Sequence, residues 1–355
     1  MTSPVPSGAR RIPSGVSPAA APDLWRPTPL AALELANIPT ELHFIRDHFR
    51  APAREPGSWS LELAGSRQSA ALNLHWLRSL PRRTLRVVLE CAGHRRAEFK
   101  PLPPGVPWAS GAVAEAQWTG ASLRPVLELV GIPSQACEVV LEGADAGPVD
   151  GFHGIHRFAR SLPLAKALDD DVLLAYRMNG EPIPPARGGP VRAIVPGWYA
   201  TDSVKWLDRI YFTDKEFDGV FQAREYRLRA PGEPAPGRRL TELPVHALIT
   251  TPADGETSLA PGAVPIRGIA WGGTDGVARV LVRVDLGRWR PAPLGPVRGR
   301  YAHVSWELPC TFAAGRHEIA CRAIDGQGIA QPDRPSANVR GYANNAIHRV
   351  RFRVP

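Results

Sequence analysis

Residues 87–99 read VVLECAGHRRAEF. The stretch Leu85–Glu90 (LRVVLE) is a short apolar, β-branched run of the kind that forms a buried strand. Cys91 closes it, and Ala92-Gly93 follow, where the chain can turn tightly and the backbone can approach a ligand. Arg95 and Arg96 stand four and five residues past the thiol. Neighbouring cations favour the thiolate, the form that ligates soft metals or attacks electrophiles. Taken alone, a cysteine at a strand end is more often a buried structural thiol. The surrounding chain has to decide between the two.

Working outward, residues 40–228 mix short apolar strands with short helices. Leu123–Val130 (LRPVLELV) reads as an amphipathic helix closed by Gly131 and Pro133. Cys137–Glu142 and Val191–Val195 read as further buried strands. This is an α+β pattern with mixed sheets. Residues 231–242 form a Pro/Gly-rich linker. Beyond it VHALITTP, VPIRGIAW, VARVLVRVD, YAHVSWEL, HEIACRAID and HRVRFRV are period-2 runs separated by Gly, Pro and Asp turns, the texture of an all-β, immunoglobulin-like sandwich. The division expected is a flexible N-terminal segment (1–35), an α+β domain (36–230), the linker and a β domain (243–355).

Composition agrees with two domains: 355 residues, 38 prolines and 33 glycines favour short strands and many loops. The net charge of +9 suits an anionic partner. The basic residues are scattered, with no Lys/Arg block interleaved with aromatics, so nucleic acid is not expected and a small anionic ligand is. The four cysteines, Cys91, Cys137, Cys310 and Cys321, form no CxxC pair. Zinc-ribbon, thioredoxin-like and c-type haem sites are therefore unsupported, and no haem is expected in this chain. Cys310 and Cys321 flank a Gly315-Arg316 turn, either facing across a hairpin or, the preferred reading, as two buried thiols. Arg10-Arg11 precede no apolar core of a signal peptide, and no apolar run reaches ~18 residues. A soluble cytoplasmic protein is expected, or a periplasmic one if a signal was removed.

The segment around Cys91 resembles the strand-Cys-Ala-Gly-Asn-Arg-Arg signature of the sulfite oxidase family. WASGAVAEAQWTGASLRPVLE (108–128), SLPLAKALDDDVLLAYRMNGEPIP (161–184) and GGPVRAIVPGWYATDSVKWLDRI (188–210) resemble further family segments in the same order. TPADGET, CRAIDGQGIAQPD and NNAIHRVRF resemble its dimerisation domain. The likeness runs from about residue 40 to 354. It implies a mixed α/β molybdopterin-binding domain followed by the sandwich, and a homodimer through the latter.

The resemblance also assigns residues. Cys91 falls on the single protein ligand of molybdenum. FIRDHF (44–49) resembles a Phe-x-Arg-Asn-His segment that wraps the pterin, so Phe44, Arg46, Asp47 and His48 are cofactor contacts and Arg46 is the active-site arginine. Asp47 stands for the usual Asn. Asp145 falls on another cofactor contact, where a carboxylate can accept from pterin amines. Arg192 and the run Ser203-Val204-Lys205 match positions that hold the cofactor's phosphate end. Arg187 replaces a family histidine, and a further cation there suits a phosphate or a larger, nucleotide-bearing pterin. Tyr226, in AREYRL, falls on the active-site tyrosine, whose phenol can donate or relay a proton.

Two departures bear on substrate. His94 replaces the Asn after Cys-Ala-Gly. The position of the family's sulfite-binding arginine in the β domain holds Val304, and losing that cation weakens dianion binding. His94, read as catalytic, or Arg160 would supply charge instead. The reaction implied is two-electron oxygen-atom transfer at molybdenum, sulfite to sulfate, with electrons leaving to a separate acceptor. The rival readings are a molybdenum-dependent reductase of a sulfoxide, nitrate or similar oxide, and a non-catalytic β-sandwich binding protein with a degenerate front domain.

Overall fold

The computed structural model describes residues 24–53, 57–257, 259 and 261–355. Among the described residues, ten strands form the two main sheets of its first unit: β1 (Ser60–Ala64), β2 (Ser69–Asn73), β3 (Arg82–Glu90), β4 (Val113–Ser122), β5 (Glu138–Val149), β6 (Phe152–Pro163), β7 (Leu173–Met178), β8 (Glu181–Pro182), β9 (Arg192–Ile194) and β10 (Leu207–Thr213). One sheet runs β8-β7-β4-β3, with β9 also on β7; the other runs β2-β1-β10-β5-β6. The β1–β10 pairing is parallel. β3 pairs antiparallel with β4 along its whole length, from Arg82 opposite Ala121 to Glu90 opposite Val113. Its first residues are exposed and Val87–Glu90 buried, so the strand dives into the interior and delivers Cys91 there.

The helix α1 (Leu123–Val130) has the bounds the spacing indicates. Leu123, Val126, Leu127 and Val130 are its buried face, at i, i+3, i+4 and i+7. They join Leu61, Leu63, Val139 and Leu141 from the second sheet in one core. Each such burial stabilises by roughly 1.5–3 kcal/mol. Gly131 ends the helix at φ +79°, a conformation that costs glycine least.

The second unit is a β-sandwich. β11 (His246–Thr251), β12 (Gly262–Trp271) and β15 (Val304–Phe312) form one sheet; β14 (Arg290–Ala292), β13 (Arg279–Val284), β16 (Gly315–Ile324) and β17 (His348–Val354) form the other in that order. β17 shows the patterning most plainly. His348, Val350, Phe352 and Val354 point inward and Arg349, Arg351 and Arg353 outward. Cys310 and Cys321 lie on β15 and β16, in different sheets, as buried free thiols.

Two expectations about loose segments change. Residues 1–23 lie outside the described residues, but 24–35 are packed rather than flexible. Trp25–Arg26 pairs with Ile45–Arg46, and Leu33 is fully buried. The linker is also tied down: Arg238–Arg239 pairs with Arg227–Leu228, Tyr199 N donates to Thr241 O at 3.0 Å, and Leu240 is buried. The two units share a core, in which Cys91, Trp108 and Trp118 pack with Trp271, Tyr301 and Tyr342. Val88 N donates to Tyr301 O at 2.9 Å across that seam.

Candidate active site

Cys91 leaves β3 with its backbone N–H bonded to Ala112 O at 2.9 Å. The chain then turns at once: His94 N donates to Cys91 O and Arg96 N to Gly93 O, at 2.9 and 3.0 Å. A Cβ on Gly93 would sit 2.6 Å from the Arg96 guanidinium, which would have to shift. The thiol is free, 6% exposed, and lines a cleft.

The cleft gathers side chains from distant parts of the sequence. His43, Phe44, Arg46, Asp47 and His48 come from the segment after the N-terminal turns; Asp145 and Phe158 come from the β5–β6 hairpin; Arg187 and Arg192 flank the turn before β9; Thr201, Ser203, Lys205 and Trp206 precede β10; Tyr226 closes the set. Four cations, Arg46, Arg187, Arg192 and Lys205, face two carboxylates, Asp47 and Asp145. Lys205 Nζ pairs with Asp47 Oδ1, so the Asn-to-Asp change builds an ion pair. Burial, helped by the charge of Asp47, pushes Asp145 up to about 7. Burial lowers Arg187 to about 10 and Arg192 to about 9, and both stay cationic at neutral pH. Arg192 Nε and Asp145 Oδ1 are buried without a hydrogen-bond partner. An unpaired buried donor and acceptor on one cleft are costly, and they suit a polar ligand that offers an acceptor to Arg192 and a donor to Asp145.

His48 and Tyr226 share a 2.6 Å hydrogen bond between Nε2 and Oη. The imidazole stacks on Phe158 at 5.5 Å and lies 4.6 Å from the Phe221 ring. Burial holds His48 well below the usual histidine range and raises the Tyr226 phenol. The pair is therefore neutral at rest.

Eleven of the thirteen residues expected at the site line the cleft: Phe44, Arg46, Asp47, His48, Cys91, Asp145, Arg187, Arg192, Ser203, Lys205 and Tyr226. Two do not. Val204 packs in the core with Val191, Val195 and Leu207, its side chain turned from the cleft. His94 turns the other way from Cys91, 5.9 Å from His246 and 5.8 Å from Trp271. Burial holds it well below its usual range, so it supplies no charge to a substrate. Arg160 also fails as a substitute cation. It is fully buried, paired with Asp202 at 2.9 Å, and its guanidinium lies 5.5 Å from the Tyr226 ring centre without joining the lining. Arg187 needs a narrower role. Its Nε, Nη1 and Nη2 donate to the carbonyls of Thr40, Phe44 and Glu41 at 2.9, 3.2 and 2.9 Å. Its charge faces the cleft, but its donors order the segment that carries Phe44 and Arg46. Sequence reasoning missed His43, buried with Nε2 unpartnered and stacked on Phe44 at 5.3 Å. It stands one residue before the FIRDHF segment, and that adjacency was the available signal.

The matches to known families agree with this geometry. Residues 48–221 match the oxidoreductase molybdopterin binding domain and residues 238–354 the Mo-co oxidoreductase dimerisation domain. Sulfite oxidase of Gallus gallus is 38% identical over 337 residues, covering 88% of this chain and 72% of that protein. The chain belongs to the sulfite oxidase family. Mitochondrial sulfite oxidase of Homo sapiens is 38% identical over 356 residues, 92% of this chain and 64% of its own length. The chain thus spans a little under two thirds of that relative. Among solved structures, the sulfane dehydrogenase SoxCD of Paracoccus pantotrophus superposes with a TM-score of 0.83 at 26% identity, over 96% of this chain and 87% of that one. Against the sulfite oxidase pattern, Val304 is the departure that matters. It packs in the sandwich core with Trp306, opposite Ala270 on β12, and brings no cation to the cleft.

Proposed function

We propose that this chain is a molybdenum-cofactor oxidoreductase that oxidises sulfite: SO₃²⁻ + H₂O → SO₄²⁻ + 2H⁺ + 2e⁻, with the electrons passed to a separate acceptor. The observation that carries the reading is a free thiol, Cys91, lining a cationic cleft beside Arg46 and Tyr226. The residues fit a pterin-held molybdenum. Cys91 offers a soft sulfur donor. Lys205 and Arg192 suit a phosphate, and the unpartnered Asp145 Oδ1 suits a pterin amine. When bound, that group supplies the two-electron redox chemistry.

The chain's own residues supply position and charge. Arg46 is only partly buried, and its guanidinium is held by donating to the Asp47 carbonyl. It attracts the substrate oxyanion and fixes its approach. Tyr226 presents a hydroxyl whose orientation is fixed by its hydrogen bond with His48 Nε2. Phe158 and Phe221 keep water from the far side of that imidazole. The sandwich is read as the surface for a homodimer, on the strength of its domain match. A second reading rests on Val304. Without a cation from the β domain the cleft is less demanding of a dianion, and a less charged sulfane sulfur, the substrate type in SoxCD's name, fits it. Steady-state assays on the molybdenum-loaded chain with an artificial acceptor test both. Sulfite turnover well above that on sulfane donors is expected, and turnover on neither contradicts the proposal.

A further inference from the structure

Tyr342 belongs to the sandwich, on the loop between β16 and β17, and it is buried in the core that the two units share. The loop is closed on itself: Tyr342 N donates to Asn338 Oδ1, and Asn338 Nδ2 to Tyr342 O, both at 2.9 Å. It is also fastened to the turn that carries Cys91. Ala343 N donates to Ala92 O at 2.9 Å, and Asn344 Nδ2 to Arg95 O at 3.0 Å. The Tyr342 ring stacks on Tyr226, with centroids 5.5 Å apart and planes at 25°. The Arg96 guanidinium lies 5.1 Å from the Tyr342 ring centre. The Tyr342 hydroxyl makes one long bond, 3.4 Å to Glu225, so the ring is the working part.

Tyr226 needs outside support. Its backbone sits at φ +40°, in the left-handed region that side chains other than glycine rarely adopt. A residue there keeps its conformation only where the surroundings over-determine it. Tyr342 is not among the cleft-lining residues, so it reaches the chemistry through Tyr226. We propose that Tyr342 is a positioning residue by which the sandwich domain holds the Tyr226 hydroxyl toward the cleft. The proposal rests on the reading of Tyr226 as the active-site hydroxyl.

A double-mutant cycle tests it, with rates taken per bound molybdenum. Tyr342→Leu keeps apolar bulk and removes the stack; Tyr342→Phe keeps the stack. In the wild-type background Tyr342→Leu is expected to lower kcat about tenfold with little change in KM, because a small misplacement of a reacting group is costly. In the Tyr226→Phe background the same change is expected to cost less than about twofold, and Tyr342→Phe alone to stay within about twofold of wild type. Near-ultraviolet circular dichroism of the metal-free chain reads the ring pair without turnover. Both variants lose the Tyr342 phenol itself, so Tyr342→Phe, which keeps the stack, is the reference, and the remaining tyrosine band of Tyr342→Leu should differ from it. Equal losses of kcat in both backgrounds, or the same tyrosine band in Tyr342→Leu and Tyr342→Phe, would overturn the proposal. A chain that turned over no sulfite would defeat the functional reading, while the dichroism would still decide the stack.

Discussion

At the scale of the residue, one half-buried and one buried group set opposite requirements. In the proposed reaction Arg46 must keep its charge and lend it to the substrate. Arg46→Gln keeps the shape and removes the cation. We expect its apparent KM for sulfite to rise roughly 10- to 100-fold, the worth of a charge-assisted hydrogen bond, with a smaller change in kcat. Steady-state kinetics check this, and an unchanged KM would remove Arg46 from the substrate site. Glu90, by contrast, must lose its charge. Burial pushes it up to about 8 from 4.5, even though Trp271 Nε1 donates to it at 2.8 Å. Its 3.3 Å approach to His246 is a contact between neutral groups, since burial drives that imidazole well below its usual range. The folded chain therefore holds a proton that the unfolded chain releases near pH 4.5. The stabilisation is complete below that value and is lost as pH rises through about 8. Glu90→Gln mimics the protonated form. Between about pH 5 and about pH 9 the urea midpoint of wild type should fall relative to that of E90Q. A constant gap would mean that Glu90 is ionised throughout. Eleven of the residues that line the cleft were legible in the sequence. Cys91, Arg46 and Tyr226 each sit in a local motif, and the fold brings them together. His94 was not, because which way a side chain leaves a tight turn is decided by what packs there, here His246 and Trp271 from the other domain. Tyr342 carried no motif, and its contact with Tyr226 spans more than a hundred residues of sequence.

At the scale of the element, the sequence was clearest where one face alone is buried. Helix α1 and strand β17 each carry a full period of apolar positions, and both lie where that period puts them. The parallel β1–β10 pairing left no such mark, since neither strand's pattern says which partner it takes or in which direction. β4 holds a subtler constraint. Its register with β7 shifts between Thr119 and Gly120, and a Cβ on Gly120 would lie 2.2 Å from Leu174 O and 2.7 Å from Ala175 Cα. Both are backbone atoms of a central strand that cannot swing aside. Gly120→Ala should cost about 1–3 kcal/mol of stability, read from urea unfolding at constant m. A neutral result would show that the sheet can open at this bulge.

At the scale of the whole molecule, net charge and the seam between the units decide behaviour. A chain of net charge +9 with a cationic cleft attracts anions over distances that salt screens. The kcat/KM for sulfite should fall severalfold as ionic strength rises from about 0.01 to about 0.15 M, whereas kcat should hardly move. Salt-independent kcat/KM would put the charge elsewhere than on the approach path. The seam is dense: Arg95, buried, donates to Ala346 O at 2.5 Å and Ile347 O at 3.2 Å, so the sandwich braces the turn after Cys91. All of this arranges one sulfur atom. X-ray absorption at the molybdenum edge, taken on the loaded wild-type chain and on Cys91→Ser, reads that sulfur directly. The expected result is a folded variant whose molybdenum has one sulfur neighbour fewer than wild type and which has lost nearly all turnover. The same sulfur count in both proteins would contradict the assignment of Cys91 as the metal's ligand.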